Sequence, residues 1–230
     1  MIKHCINNIL GWLQIKRRMF IVPKRKTESH IPVSYAITVC NEAQQLKELL
    51  DFLKPFMCPE DEIVVQADKA NVTDDVKHVI SKYSSLITTY VEYELDFDFA
   101  KAKNHLNEQC KGQYIFQLDA DEYPNTYLMD NLQSILRANA GIELFKIPRL
   151  NLFINRDCEE IERYVAWPDF QGRLYINQPQ RIQWYRPLHE KINGHRSYVY
   201  LPKKDQYTIV HVKTKERDNA KWQKWKEHYA

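Results

Sequence analysis

Between Val33 and Ile147, short β-prone runs alternate with segments whose apolar residues recur at helical spacing. Val33 to Val39 reads Val-Ser-Tyr-Ala-Ile-Thr-Val, a strand, and Leu46, Leu49, Leu50 and Leu53 then mark one face of a helix. The pattern repeats: Glu62 to Gln66 is a strand, and Val76, Val79, Ile80 and Tyr83 share a helical stripe. Leu86 to Val91 follows as a strand, Phe99 to Glu108 as a helix and Tyr114 to Leu118 as a fourth strand. Leu128, Leu132, Ile135 and Leu136 mark another helix, and Leu144 to Ile147 a further strand. Such alternation predicts an α/β domain, a three-layer sandwich with a mostly parallel central sheet between helices. In sheets of that kind ligands bind beyond the carboxyl ends of the strands, so chemistry is expected there.

The flanks read differently. In residues 1–30, Ile2, Ile6, Ile9, Leu10 and Leu13 fall at helical spacing, and seven Lys and Arg residues precede the first acid, Glu28. Two readings stand for this leader. It is an amphipathic helix packed on its own domain, the commoner case, or residues 1–26 make a peripheral contact with an anionic membrane surface. The remainder holds 26 Lys and Arg against 30 Asp and Glu. A mildly acidic body argues against a general nucleic-acid binder. No run reaches the roughly 18–20 apolar residues of a membrane span, and Cys5, Cys40, Cys58, Cys110 and Cys158 form no Cys-x-x-Cys pair. The expectation is a cytoplasmic chain, with the inner face of a membrane as its other station. Past Pro148 the pattern turns irregular, and Tyr164, Trp167, Phe170, Tyr175, Trp184 and Tyr185 either bind something flat or close a small core. A C-terminal helix, with Trp222, Trp225 and Tyr229 on one face, ends the chain.

Asp119 and Asp121 follow the apolar run Tyr114 to Leu118, which places them at a strand's carboxyl end. Two carboxylates one residue apart offer hard oxygen ligands to Mg²⁺ or Mn²⁺, and such an ion neutralises a diphosphate. The bare pattern is weak, as Asp96-Phe97-Asp98 shows; there Asp98 is a natural cap for the helix from Phe99. The five glycines, Gly11, Gly112, Gly141, Gly172 and Gly194, are too scattered to build a dinucleotide or P-loop phosphate cradle. Phosphates therefore need another partner, and a metal on Asp119 and Asp121 aided by Lys103 would meet that need.

The order Ser34-Tyr-Ala-Ile-Thr-Val-Cys-Asn41-Glu42, Phe99-Ala-Lys-Ala-Lys103-Asn104, Phe116-Gln-Leu-Asp119-Ala-Asp121-Glu122 and Leu188-His189-Glu190 resembles glycosyltransferase family 2. The resemblance covers roughly Val33 to His211. It implies a GT-A fold over residues 31–230, with a nucleotide-sugar-binding half at 31–148 and an acceptor half with the C-terminal helix at 149–230. It further implies inverting transfer of a hexose from a nucleoside-diphosphate sugar, UDP-hexose being the commonest case, to a glycan, polysaccharide or lipid-linked acceptor. Asn41 and Glu42 would lie at the nucleoside pocket and Asp68 at the base. Lys103 and Asn104 stand where the family carries Ala-Arg-Asn, and Lys lacks the bidentate fork of Arg. Asp119, Asp121 and the late His211 would hold the metal. Glu190 would take the acceptor proton, with Asp169 as the substitute. A sugar nucleotidyltransferase shares a similar sheet, but its Gly-rich loop is replaced here by Cys40-Asn41-Glu42-Ala43. An inactive glycan- or membrane-binding module is the other alternative, against which the retention of both Asp119 and Asp121 counts.

Overall fold

The strands expected to be central carry apolar residues at consecutive positions, as strands covered on both faces must. A computed structural model, which describes residues 29–154 and 161–229, shows that cover. β1 (Val33–Val39), β2 (Glu62–Asp68) and β4 (Tyr114–Asp119) are buried along nearly their whole length, whereas β3 (Thr89–Tyr93) is a half-exposed edge. β1 pairs in parallel with β2 on one side and β4 on the other, and β2 pairs in parallel with β3. The sheet then continues from β4 through β8 (Asp169–Ile176), β6 (Leu144–Ile154) and β12 (Ile209–Lys213) to β5 (Glu122–Pro124). β8 is antiparallel to both β4 and β6, while β12 and β11 (Tyr198–Tyr200) run parallel to β6. The short β7 (Ile161–Arg163) pairs with the far end of β6, and β9 (Gln183–Tyr185) and β10 (Lys191–Asn193) form a separate hairpin.

Helices cover both faces. On one, α1 (Ala43–Leu53) buries Leu46, Leu49, Leu50 and Leu53 completely, and α2 (Asp74–Lys82) adds Val76 and Ile80. α2 starts at Thr73, whose side chain accepts from the Val76 amide, with Asp74 and Asp75 complementing the helix dipole. On the other face α3 (Phe99–Glu108) packs Ala100 and Leu106 against Ala36, Val64, Ile115, Tyr175 and Trp184. Its cap is Asp98, which accepts from the Lys101 amide. Close approach at the amino end of the sheet requires Gly112: a Cβ there would lie 2.6 Å from the Ser34 amide nitrogen and 2.8 Å from the Val33 carbonyl carbon.

Several local expectations shift. The third strand spans Thr89–Tyr93 rather than Leu86 to Val91. The helix marked by Leu128 to Leu136 is two, α4 (Thr126–Asp130) and α5 (Leu132–Ala138), divided at Asn131, whose side-chain amide donates to the Tyr127 carbonyl. β6 runs through Pro148 to Ile154. Among the aromatics past Pro148, Tyr175 and Trp184 close the smaller core, the Trp184 indole donating to the Tyr175 hydroxyl. The C-terminal helix, α6 (Lys215–Tyr229), is present, and Trp222 is 38% exposed. The leader helix over residues 1–26 and the side chains of Trp225 and Tyr229 lie outside the described residues. Among the described residues no helix is long and apolar enough to cross a membrane.

Candidate active site

The chain leaves β1 to build β2 and β3 on one side, then returns through α3 to place β4 on the other, so the strand order switches between β1 and β4. A crevice opens at such a switch, beyond the carboxyl ends of the two strands. β1 ends at Val39, followed by Asn41 and Glu42, and β4 ends at Asp119. The register sets Thr38 beside Asp119, and its hydroxyl donates to Asp119 Oδ1 at 2.8 Å.

From Asp119 an alternating line of charges extends in both directions. Lys103, buried on α3, lies 3.5 Å from Asp119 Oδ1 and 2.5 Å from Glu190 Oε1. Arg173 on β8 donates from Nη2 to Asp119 Oδ2 at 2.8 Å and to Glu122 Oε1 at 2.6 Å. Arg149 on β6 joins Glu122 to Asp169, reaching Asp169 Oδ2 through both Nε and Nη2 at 3.0 and 2.8 Å. Burial alone would raise the carboxyl pKa of Asp119, but Arg173, Lys103 and the Thr38 hydroxyl together hold it well below the ordinary range. Burial likewise works against Asp169 and Glu190, and Arg149 and Lys103 respectively win, keeping both ionised.

The loop that carries Glu190 is held on α3. The Phe99 amide donates to the Pro187 carbonyl at 3.0 Å, and the Asn104 side chain bridges the amide and carbonyl of Trp184 at 2.8 and 2.9 Å. Arg186 and His189 take φ of 72° and 54°, a left-handed backbone that non-glycine residues adopt at some cost and that clusters at functional sites.

Asp121 faces elsewhere. β5 follows it directly and pairs with β12, so that Glu122 lies opposite His211; Asp121 Oδ1 is 3.3 Å from His211 Nε2. His211 Nδ1 is 2.9 Å from Asn151 Oδ1, and Asn151 Nδ2 donates to Asp169 Oδ2 at 2.9 Å. Asp169 thereby fixes which way the Asn151 amide points, and its oxygen must receive a proton from His211 Nδ1. Burial keeps the imidazole pKa below its usual value despite Asp121, so the ring is neutral and Nε2 presents a lone pair to a carboxylate oxygen. Two acceptors facing each other at 3.3 Å suit a cation shared between them, since ligands at about 2.1 Å in a right-angled octahedral pair lie about 3.0 Å apart. An outer partner fixing the tautomer of a ligand His is the usual arrangement at metal sites.

A family model for "Glycosyl transferase family 2" matches residues 34–196. The chain belongs to glycosyltransferase family 2. Solved structures agree in fold. S. aureus TarS 1–349 in complex with UDP-GlcNAc superposes with a TM-score of 0.55 at 15% identity, covering 81% of this chain and 59% of that one. TarS 1–349 in complex with UDP gives 0.54 at 15% identity over 79% and 60% of the two chains. The mannosyltransferase PcManGT from Pyrobaculum calidifontis, in complex with GDP-Man and Mn²⁺, gives 0.55 at 14% identity over 91% of this chain and 65% of its own. The chain thus spans about 60% of the length of the TarS fragment it matches, and its mixed, mainly parallel sheet with helices is the GT-A fold.

Within this family 2 domain, the residues singled out from sequence separate into three groups. Lys103, Asp119 and Glu190 converge. Asp121 and His211 meet each other, and Asp119 stands apart from them: among the described residues only His30, Cys58 and Asp61 bring three such ligand atoms within 4.8 Å of one another. Glu42 Oε2 accepts from the Cys40 and Asn41 amides of its own turn, and Asp68 accepts from the Ala70 amide and the Asn71 side chain of its turn and from the Leu95 amide beyond β3. Asn41 is exposed at the crevice mouth, and Asn104 is committed to the Trp184 backbone. Sequence reasoning missed Thr38, Arg149, Asn151 and Arg173. Arg173 and Arg149 did leave a signal, a lone cation inside each of the apolar runs Gly-Arg173-Leu-Tyr-Ile and Ile-Pro-Arg149-Leu.

Proposed function

We propose that this domain transfers a hexose from a nucleoside-diphosphate sugar, a UDP-sugar by preference, to a glycan or lipid-linked acceptor with inversion and with the help of Mn²⁺ or Mg²⁺. The observation that carries the reading is the convergence of Asp119, Lys103 and Glu190 at the β1/β4 switch point, in a family 2 chain whose structural neighbours include complexes with UDP-GlcNAc and with GDP-Man and Mn²⁺. Asp121 and His211 are the residues that would hold the metal, with Asn151 and Asp169 orienting the ring; bound there, the ion would offset the charge of the departing diphosphate. Lys103 and Arg173 lie where they can add further positive charge beside Asp119.

Glu190 suits the task of proton acceptor better than Asp169. Both are ionised, but Asp169 is saturated: Oδ2 accepts from Arg149 and Asn151, and Oδ1 accepts from the Gln171 amide at 2.7 Å. Glu190 uses Oε1 for Lys103, and among the described residues Oε2 has no hydrogen-bond partner, which leaves it for an acceptor hydroxyl. Asp169 becomes a positioning residue for Asn151 and, through it, for His211.

Nucleotide release from a panel of UDP- and GDP-sugars, followed with Mn²⁺ and again with EDTA, tests the reading. Release from one donor that Mn²⁺ supports and EDTA stops by at least tenfold is the expected result, with the product's anomeric signal inverted relative to the donor. Release that is indifferent to EDTA removes the metal from the account, and retention at the anomeric carbon removes single displacement by a Glu190-activated hydroxyl.

A further inference from the structure

Away from the switch point, two tyrosines stand exposed with a cation between them. Tyr198 and Tyr200 are 53% and 49% exposed, and their spacing on β11 sends both side chains to the same side of the strand. Their rings lie 5.8 Å apart at 82°, and Tyr200 meets Phe170 edge-to-face at 4.7 Å. The β6–β11 register sets Lys146 opposite Tyr200. Lys146 Nζ is 4.7 Å from the Tyr198 ring centre, 5.0 Å from that of Tyr200 and 3.4 Å from the Tyr200 hydroxyl. Among the described residues no carboxylate pairs with this ammonium. The nearest acid on β6's approach, Glu143, is bound by Arg181 at 2.6 Å and by the Arg196 amide at 2.5 Å.

An exposed aromatic pair leaves apolar area in water unless something covers it, and a cation held against two ring faces without a counter-ion is placed to receive an anion. The surrounding sequence has the same sign: between Glu190 and Asp205 the chain carries Lys191, Arg196, Lys203 and Lys204 and no acid. Lys203 in turn lies over the Trp167 ring, 5.5 Å from its centre. Phe170, against which Tyr200 packs, adjoins Asp169 along β8, so the platform lies one backbone step from the residue that anchors Arg149 and Asn151, with the two side chains on opposite faces of the strand. A pyranose offers a C–H face to an aromatic ring and hydroxyls to a phenol, and a carboxylate or phosphate on it would meet Lys146.

We propose that Lys146, Tyr198 and Tyr200 form an acceptor subsite for a negatively charged sugar residue, a uronate or a sugar phosphate, within an extended glycan. This rests on the transferase reading above and names its acceptor class. The full chain is run through native gels containing polygalacturonate, a phosphomannan, neutral dextran or poly-L-glutamate. Retardation by polygalacturonate or phosphomannan exceeds that by dextran, the two polymers distinguishing carboxylate from phosphate. Tyr198→Ala/Tyr200→Ala weakens the apparent affinity at least tenfold, and Lys146→Gln brings the anionic polymer down to the level of dextran. Retardation by neither anionic glycan, equal retardation by poly-L-glutamate, or a double variant that binds as before overturns the subsite. Thermal shifts with nucleotide sugars on the same samples separate the two proposals. A donor-dependent shift without glycan binding removes the subsite alone, and glycan binding without any donor-dependent shift keeps the surface and removes the transferase reading.

Discussion

Replacing Glu190 by Gln slows turnover by about 10²- to 10⁴-fold, the usual contribution of a positioned general base, while donor affinity stays within a few-fold. The substitution keeps the side chain's length and a hydrogen-bond acceptor for Lys103, which is 2.5 Å from Glu190 Oε1, so the loop from Arg186 keeps its anchor on α3. What disappears is the capacity to take a proton. The resting ion pair acts in two directions, since Lys103 overcomes the effect of burial to keep the carboxylate proton-free at neutral pH and at the same time lowers its basicity. Single-turnover measurements with saturating donor check the result. Unchanged turnover in a folded Glu190→Gln variant moves the base elsewhere, and a raised donor KM with kcat unchanged marks Glu190 as a donor-binding group instead.

Arg173→Met lowers stability by about 3 kcal/mol, the lower end of the cost of breaking a buried ion pair from one side. For a chain of 230 residues this corresponds to a fall of roughly 6–12 °C in melting temperature. Arg173 is 2% exposed and is shared by Asp119 and Glu122, the latter fully buried. Methionine fills much of the volume and removes the charge, leaving Glu122 with Arg149 and Asp119 with Lys103. Arg173→Lys recovers part of the loss, because both carboxylates are reached from the single nitrogen Nη2, which an ammonium on a shorter stem replaces incompletely. Urea unfolding of the three proteins checks the order Arg, Lys, Met. A methionine variant as stable as the parent means that the alternating charges are screened by water and do not act as one network.

Much of this architecture is legible in the sequence because its signals are local. Leu46, Leu49, Leu50 and Leu53 declare the buried face of α1, and Asp98 announces the start of α3 at Phe99. The mostly apolar runs of β1 and β4 locate Asn41 and Asp119 at the strand ends that form the crevice. The misses are matters of pairing. Pro148 is a reason to end a strand, yet it falls between the β11 and β12 pairings on one edge of β6, where no ladder hydrogen bond is required. Asn131 divides a continuous apolar stripe through a side chain that competes for the helix backbone. The partnership of His211 with Asn151 and Asp121 exists only because β12 inserts between β6 and β5, a register that no spacing in the sequence reveals. The sequence also treats Asp119 and Asp121 as a matched pair. In the fold, the side chain between them, Ala120, is buried, and the two carboxylates serve different neighbours, Arg173 with Lys103 in one case and His211 in the other.

The metal role of Asp121 is the part of the account on which the rest leans most. Calorimetric titration of Mn²⁺ into the chain with UDP present, repeated on Asp121→Ala and His211→Ala, addresses it without relying on turnover. One ion binds the unsubstituted protein, and each variant, still folded, binds it about 100-fold or more weakly, at or beyond the loss seen when only an outer partner of a metal ligand is removed. Equal Mn²⁺ affinity in all three proteins would contradict the account.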